Sequence, residues 1–104
     1  MNENNMLKDA LIKVFGELDN YHYSTWSRLN KCQAYYQDIM YNGVHIEVLK
    51  SYSTIVAFCM IECGSVYIRD FYSNTTVQHV SKFTNLMHTK YNKDILKFRV
   101  DKMK

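Results

Sequence analysis

Cys59, Cys63, His45 and His79 carry the side chains that zinc prefers, and the Cys-x-x-x-Cys spacing invites a metal reading. The spacing itself argues against one. On a hairpin register Cys59 points into one face of a sheet while Cys63 occupies the turn, so the two thiols do not converge. They read as a small buried apolar residue and a turn residue. Neither Cys32 nor Cys63 reads as a nucleophile, because neither stands at a helix start or beside an evident base. His79 is the more telling histidine. It falls on the first turns of a helix opened by Ser73, where the dipole favours the neutral ring, and there it can bond Tyr72 or a strand carbonyl as a structural pin. Asp70 and Glu62 come from different faces and the other carboxylates are scattered, so no acid–base pair is expected. Three separated glycines build no phosphate cradle. The residues therefore predict neither an enzyme nor a cofactor or metal site.

Charge carries the remaining functional cue. Residues 82 to 104 hold seven cations (Lys82, Lys90, Lys93, Lys97, Arg99, Lys102 and Lys104) against Asp94 and Asp101, a local +5. Residues 1 to 20 hold Lys8 and Lys13 against Glu3, Asp9, Glu17 and Asp19, a local −2. The whole chain is only +3, short of the basicity that marks a dedicated nucleic-acid binder. A basic strip flanked by Tyr91 and Phe98 can follow a phosphate backbone with bases stacked on the rings, dock in an acidic protein groove, or remain a solvated terminus. An odd count of three cysteines, no signal peptide and no apolar run near the roughly 20 residues that span a bilayer predict a reduced, soluble, cytoplasmic protein without a membrane partner.

With 104 residues, 47% of them apolar, the chain forms one domain with a single core. Met6 or Leu7, Ala10 or Leu11, Val14 and Leu18 recur at helical steps, capped by Asn4 or Asn5 and stopped at Asp19-Asn20. Residues 21 to 31 read as a loop or one helical turn. Cys32 to Tyr41 and Val44 to Leu49 form a hairpin around Asn42-Gly43, with Tyr41 opposite Val44 and Ile39 opposite Ile46, because a type I′ turn needs positive φ at both central residues. The first of these strands is polar enough to be an edge. Thr54 to Ile61 is β-branched and nearly all apolar, the profile of a central strand covered on both sides or nearly so. A tight turn at Cys63-Gly64 would set Met60 opposite Tyr67, Phe58 opposite Arg69 and Val56 opposite Phe71. A second helix follows Tyr72, with an apolar stripe of Val77, Val80, Phe83 and Met87. Leu96, Phe98 and Val100 alternate with charged residues as a fifth strand. The expected fold is α+β: an antiparallel meander sheet of four or five strands with two helices packed on one face.

The segments Leu49-Lys50-Ser51-Tyr52-x-Thr54-x-Val56-Ala57 and Tyr72-Ser73-x-Thr75-Thr76-x-x-His79-x-x-x-Phe83 resemble a family of small uncharacterised proteins from phages and mobile elements. The resemblance spans residues 44 to 84 and transfers no activity. It implies a phage setting, where compact proteins bind and disable a host protein, immune nucleases of the CRISPR type included. The expectation is a non-enzymatic binder of a host protein in the host cytoplasm, an anti-defence or anti-CRISPR inhibitor in its strongest version. Nucleic acid is the alternative partner. The candidate contact residues are Lys50, Tyr52, Tyr67, Arg69, Lys90, Tyr91, Lys93, Lys97 and Arg99. Oligomeric state is open, a dimer included.

Overall fold

The computed structural model describes residues 3–69 and 73–102. Their order is α1 (Glu3–Asp19), β1 (Ser27–Arg28), β2 (Ala34–Tyr41), β3 (Val44–Ser51), β4 (Thr54–Met60), β5 (Ser65–Ile68), α2 (Asn74–Tyr91), β6 (Leu96–Arg99) and a 3-10 turn at Val100–Lys102. The class is α+β, and the strands lie in the sheet in chain order. Strands β1 to β5 are an antiparallel meander. The tail strand forms, but as the sixth of the sheet rather than the fifth, ending at Arg99 with Val100 in the 3-10 turn. It runs parallel to β5 rather than antiparallel, because α2 carries the chain back across the sheet before β6 joins.

Asn42 and Gly43 hold φ of 48° and 80°, and the β2–β3 register sets Tyr41 against Val44 and Ile39 against Ile46, as the Asn-Gly signal requires. The next expected hairpin differs. Residues 61 to 64 form a four-residue loop with φ of +66° at Gly64 alone, so Met60 faces Ser65 and Phe58 faces Tyr67. The register slips by two residues, which leaves every side chain on its expected face. Asp70, Phe71 and Tyr72 lie outside the described residues, as do the Val56–Phe71 pairing and the proposed Tyr72 bond to His79. Residues 21 to 31 contain a short strand where a loop or helical turn was expected. Ser27 and Arg28 pair with Tyr36 and Tyr35, and Leu29 N donates to Ala34 O at 2.8 Å.

The two helices cover opposite faces of the sheet rather than one. Leu11, Phe15 and Leu18 of α1 pack with Ile39, Ile46, Val48, Ile55, Phe58 and Val100. Val80, Phe83 and Met87 of α2 pack with Ala34, Leu49, Val56, Ala57, Cys59 and Val66. Strand alternation on β3 separates these sets, with Ile46 and Val48 toward α1 and Leu49 toward α2. A bulge at Leu49/Lys50 inserts one residue opposite β3, so Val56 turns to the α2 face while Phe58 stays on the α1 face. Most of each expected stripe is buried, Leu11 and Leu18 on α1 and Val80, Phe83 and Met87 on α2, and the departures lie at the first turns. Phe15, edge-on to Phe58 at 5.1 Å between centroids, anchors α1, whereas Met6 and Leu7 are exposed. On α2 the buried line is Thr76, His79, Val80, Phe83, Thr84 and Met87, and Val77 is left outside.

Candidate functional site

Glu47 is a carboxylate on the central part of the sheet, and its side chain has no solvent exposure. Its Oε2 accepts from the Tyr91 hydroxyl and lies 2.9 Å from Lys90 Nζ, while Oε1 has no hydrogen-bond partner among the described residues. Asp38 is its cross-strand partner on β2. His45 stands two residues along the same face, with Nε2 3.4 Å from Asp38 Oδ2. Burial draws the Lys90 pKa down, but the bond and attraction to Glu47 outweigh it and the net shift is upward. Burial, then Glu47, push Tyr91 up to about 12. Lys93 donates to Ile61 O at 2.8 Å and Glu62 O at 3.2 Å, closing the β4–β5 loop. Three of the candidate contacts, Lys90, Tyr91 and Lys93, are thus anchors that hold the end of α2 on the sheet.

Arg69 is likewise turned inward. Its guanidinium meets both oxygens of Asp19 at 2.8 and 2.7 Å and lies 5.3 Å from the Phe15 ring, tying β5 to α1. Tyr67 is half-buried between Phe58 and Phe98, its centroid 5.5 and 5.6 Å from theirs. Lys50 lies over the Trp26 ring at 4.3 Å, in an aromatic patch with Tyr35 on the α1 face.

His79 is buried, and its Nδ1 lies 2.8 Å from Ser51 Oγ, which in turn lies 3.3 Å from Thr76 Oγ1. The partner is a strand hydroxyl rather than a carbonyl, and the ring pins the start of α2 to the end of β3. Burial first, and then the charge of Lys82, lower its pKa from 6.5. The unfolded chain therefore takes up the proton before the folded one does, and stability is lost as pH falls below about 6.5. Chemical denaturation on either side of that pH is expected to show a drop in midpoint that is smaller in His79→Gln.

Beside it, Tyr52 is 55% exposed yet holds φ of 57°, a conformation costly for a bulky residue. Tyr52→Gly removes that strain and is expected to raise stability by up to about 1 kcal/mol in urea denaturation. Tyr52 opens the two-residue turn between Ser51 and Thr54, where a primed hairpin turn requires positive φ, and its ring lies 5.7 Å from that of His79.

Lys97 and Arg99 are brought together at the outer edge of the sheet. With Ile68 and with Thr76, Val77, Val80 and Ser81 of α2 they line a groove of about 240 Å³. Arg99 is paired with Asp101 at 3.0 Å, while Lys97 makes no ion pair or hydrogen bond among the described residues. On the opposite face of β6, Leu96 and Phe98 are 62% and 38% exposed, and Val77 above the groove is 51% exposed. Leu96 and Val77 are absent from the expected contacts, although the strict apolar–basic alternation of Leu96-Lys97-Phe98-Arg99 is a visible signal for an edge with two different faces.

All three cysteines are free, and among the described residues no three His, Cys, Asp or Glu side chains gather as metal ligands. Burial, reinforced by Glu47, pushes the Cys59 thiol up to about 12, the state of an inert core residue. Among the described residues no helix is long and apolar enough to cross a membrane.

Residues 17–97, from the last turn of α1 into β6, match the model of a family of unknown function, DUF8033. Neither a curated protein nor a solved structure matches the chain.

Proposed function

The chain belongs to the DUF8033 family, and we propose that it is a non-enzymatic binding protein that acts by occupying a surface of another protein. One observation carries this reading: among the described residues β6 is an uncovered edge strand with Leu96 and Phe98 exposed on one face and a cationic, apolar-floored groove on the other. Exposed apolar side chains clustered on an open edge mark interaction surfaces. The interior titratable groups support it from the other side. His79 is bonded to Ser51, and Lys90 and Tyr91 to Glu47, so these side chains are committed to holding the fold.

In the phage or mobile-element setting that the sequence resemblance implies, the bound protein belongs to the host, and the act of binding blocks it in the host cytoplasm. A defence nuclease is the strongest version of that partner. The alternative of a nucleic-acid partner draws less support, since Lys90, Lys93 and Arg99 of the basic strip are engaged by Glu47, by main-chain carbonyls and by Asp101.

A photo-crosslinking amino acid at Leu96, expressed in the host bacterium, tests the reading. One discrete protein adduct at position 96, absent with the same probe at Lys13 on α1, is the expected result. Equal labelling from both positions, or nucleic acid as the species recovered, would displace it.

A further inference from the structure

We propose that the outer edge of β6 takes up an extended segment of the partner as a seventh strand, one that alternates apolar and acidic side chains. This rests on the binding reading above and names the chemistry of what is bound.

The backbone supplies the first argument. Leu96 N donates inward to Gly64 O at 2.9 Å, and because main-chain groups alternate sides along a strand, the amide and carbonyl of Lys97 face the open side. An added strand satisfies them, as peptides do when they extend a sheet edge. The second argument is the difference between the faces. Leu96 and Phe98 lie on the α1 face, where Phe98 stacks on Tyr67, and call for apolar neighbours. Lys97 and Arg99 lie beside Val66 and Ile68 on the α2 face and call for carboxylates. Arg99 already holds Asp101, so Lys97 is the cation an incoming acid addresses.

Charge also decides between a foreign segment and a second copy of this chain. Antiparallel self-pairing must keep the faces matched. Each such register that pairs three of the four β6 residues sets Lys97 against Lys97 or against Arg99, and like charges directly opposite are destabilising. Edge lysines are a common guard against self-pairing, and an acidic strand removes that guard.

The test uses the full chain and two short synthetic peptides, one alternating Val and Glu and the other Val and Lys. The Val–Glu peptide is expected to slow hydrogen exchange at the Lys97 amide about tenfold near saturation and to bind more weakly as salt rises. Lys97→Glu, an exposed change, should abolish that binding and transfer it to the Val–Lys peptide. Equal binding of both peptides, or no protection at Lys97, overturns the proposal. So does a concentration-dependent dimer in sedimentation, which would make a second copy the occupant. If position 96 crosslinks to a host protein while neither peptide protects Lys97, strand addition falls and the binding reading stands; if neither occurs, both fall.

Discussion

Lys90→Ala is expected to lower the unfolding free energy by about 3 kcal/mol, the low end of what orphaning a buried charge costs, because Lys90 itself is 41% exposed. The loss comes from Glu47. With no exposed side-chain surface and Oε1 unpartnered, its carboxylate has, among the described residues, only Lys90 and Tyr91 to offset desolvation. Removing the ammonium leaves one hydroxyl to do so. The same logic gives the opposite result for the other partner: Glu47→Met, of similar volume, is expected to be neutral or stabilising. In that background Lys90→Ala should cost little, so the double-mutant cycle isolates the pair. Urea denaturation of the four proteins checks it. A loss below about 0.5 kcal/mol for Lys90→Ala would mean that water reaches Glu47 after all.

This cluster shows where the sequence was legible and where it was not. Glu47 sits between Ile46 and Val48 on a strand that alternation identifies, so its face was readable, yet what covers that face was not. Covering depends on which side each helix takes, and no local signal in α1 or α2 states it. The β4 run already read as a strand covered on both sides or nearly so, which conflicts with placing both helices on one face. A run of seven residues from Thr54 to Met60 with almost no polar side chain belongs to a strand covered on both faces, and two helices on one face would leave Ile55 and Phe58 bare.

Turn chemistry shows the same division. Asn42-Gly43 set the β2–β3 register fully because both residues adopt positive φ there. Cys63-Gly64 carried half of that signal. Only Gly64 adopts positive φ, the loop grows to four residues, and the pairing slips by two while the faces survive. The bulge opposite Leu49/Lys50 had no mark in composition, since Val56 suits either face. The candidate contacts divided in a comparable way. Charge marked Lys97 and Arg99 as parts of one basic strip, and the structure places both on the edge strand β6, but charge could not foresee that Arg69, Lys90 and Lys93 engage Asp19, Glu47 and two carbonyls.

Gly64→Ala is the substitution expected to take the proposed binding edge away while sparing the rest of the sheet. The new methyl would sit 2.7 Å from the main-chain oxygen of Asp94, on a residue with φ of +66°. The left-handed backbone costs about 1–2 kcal/mol for a residue with a Cβ. The clash is with backbone rather than a flexible side-chain tip, so the Asp94 segment must move, at a further cost of about 1–3 kcal/mol. A total near 3 kcal/mol follows from these two contributions. What moves is decisive, because Leu96 N is held by Gly64 O, and displacing Asp94 draws β6 away from β5. Amide exchange should therefore speed up at Leu96 and Phe98 more than in β2 and β3, and the Val–Glu peptide should lose its hold along with the crosslink at position 96. Gly16→Ala is the matched control: it sits in α1 with nothing within 4 Å of the added Cβ. It is expected to gain up to about 1 kcal/mol from helix propensity and leave the edge intact. Uniformly faster exchange in Gly64→Ala, with no excess at β6, would show that the edge is not a separable unit.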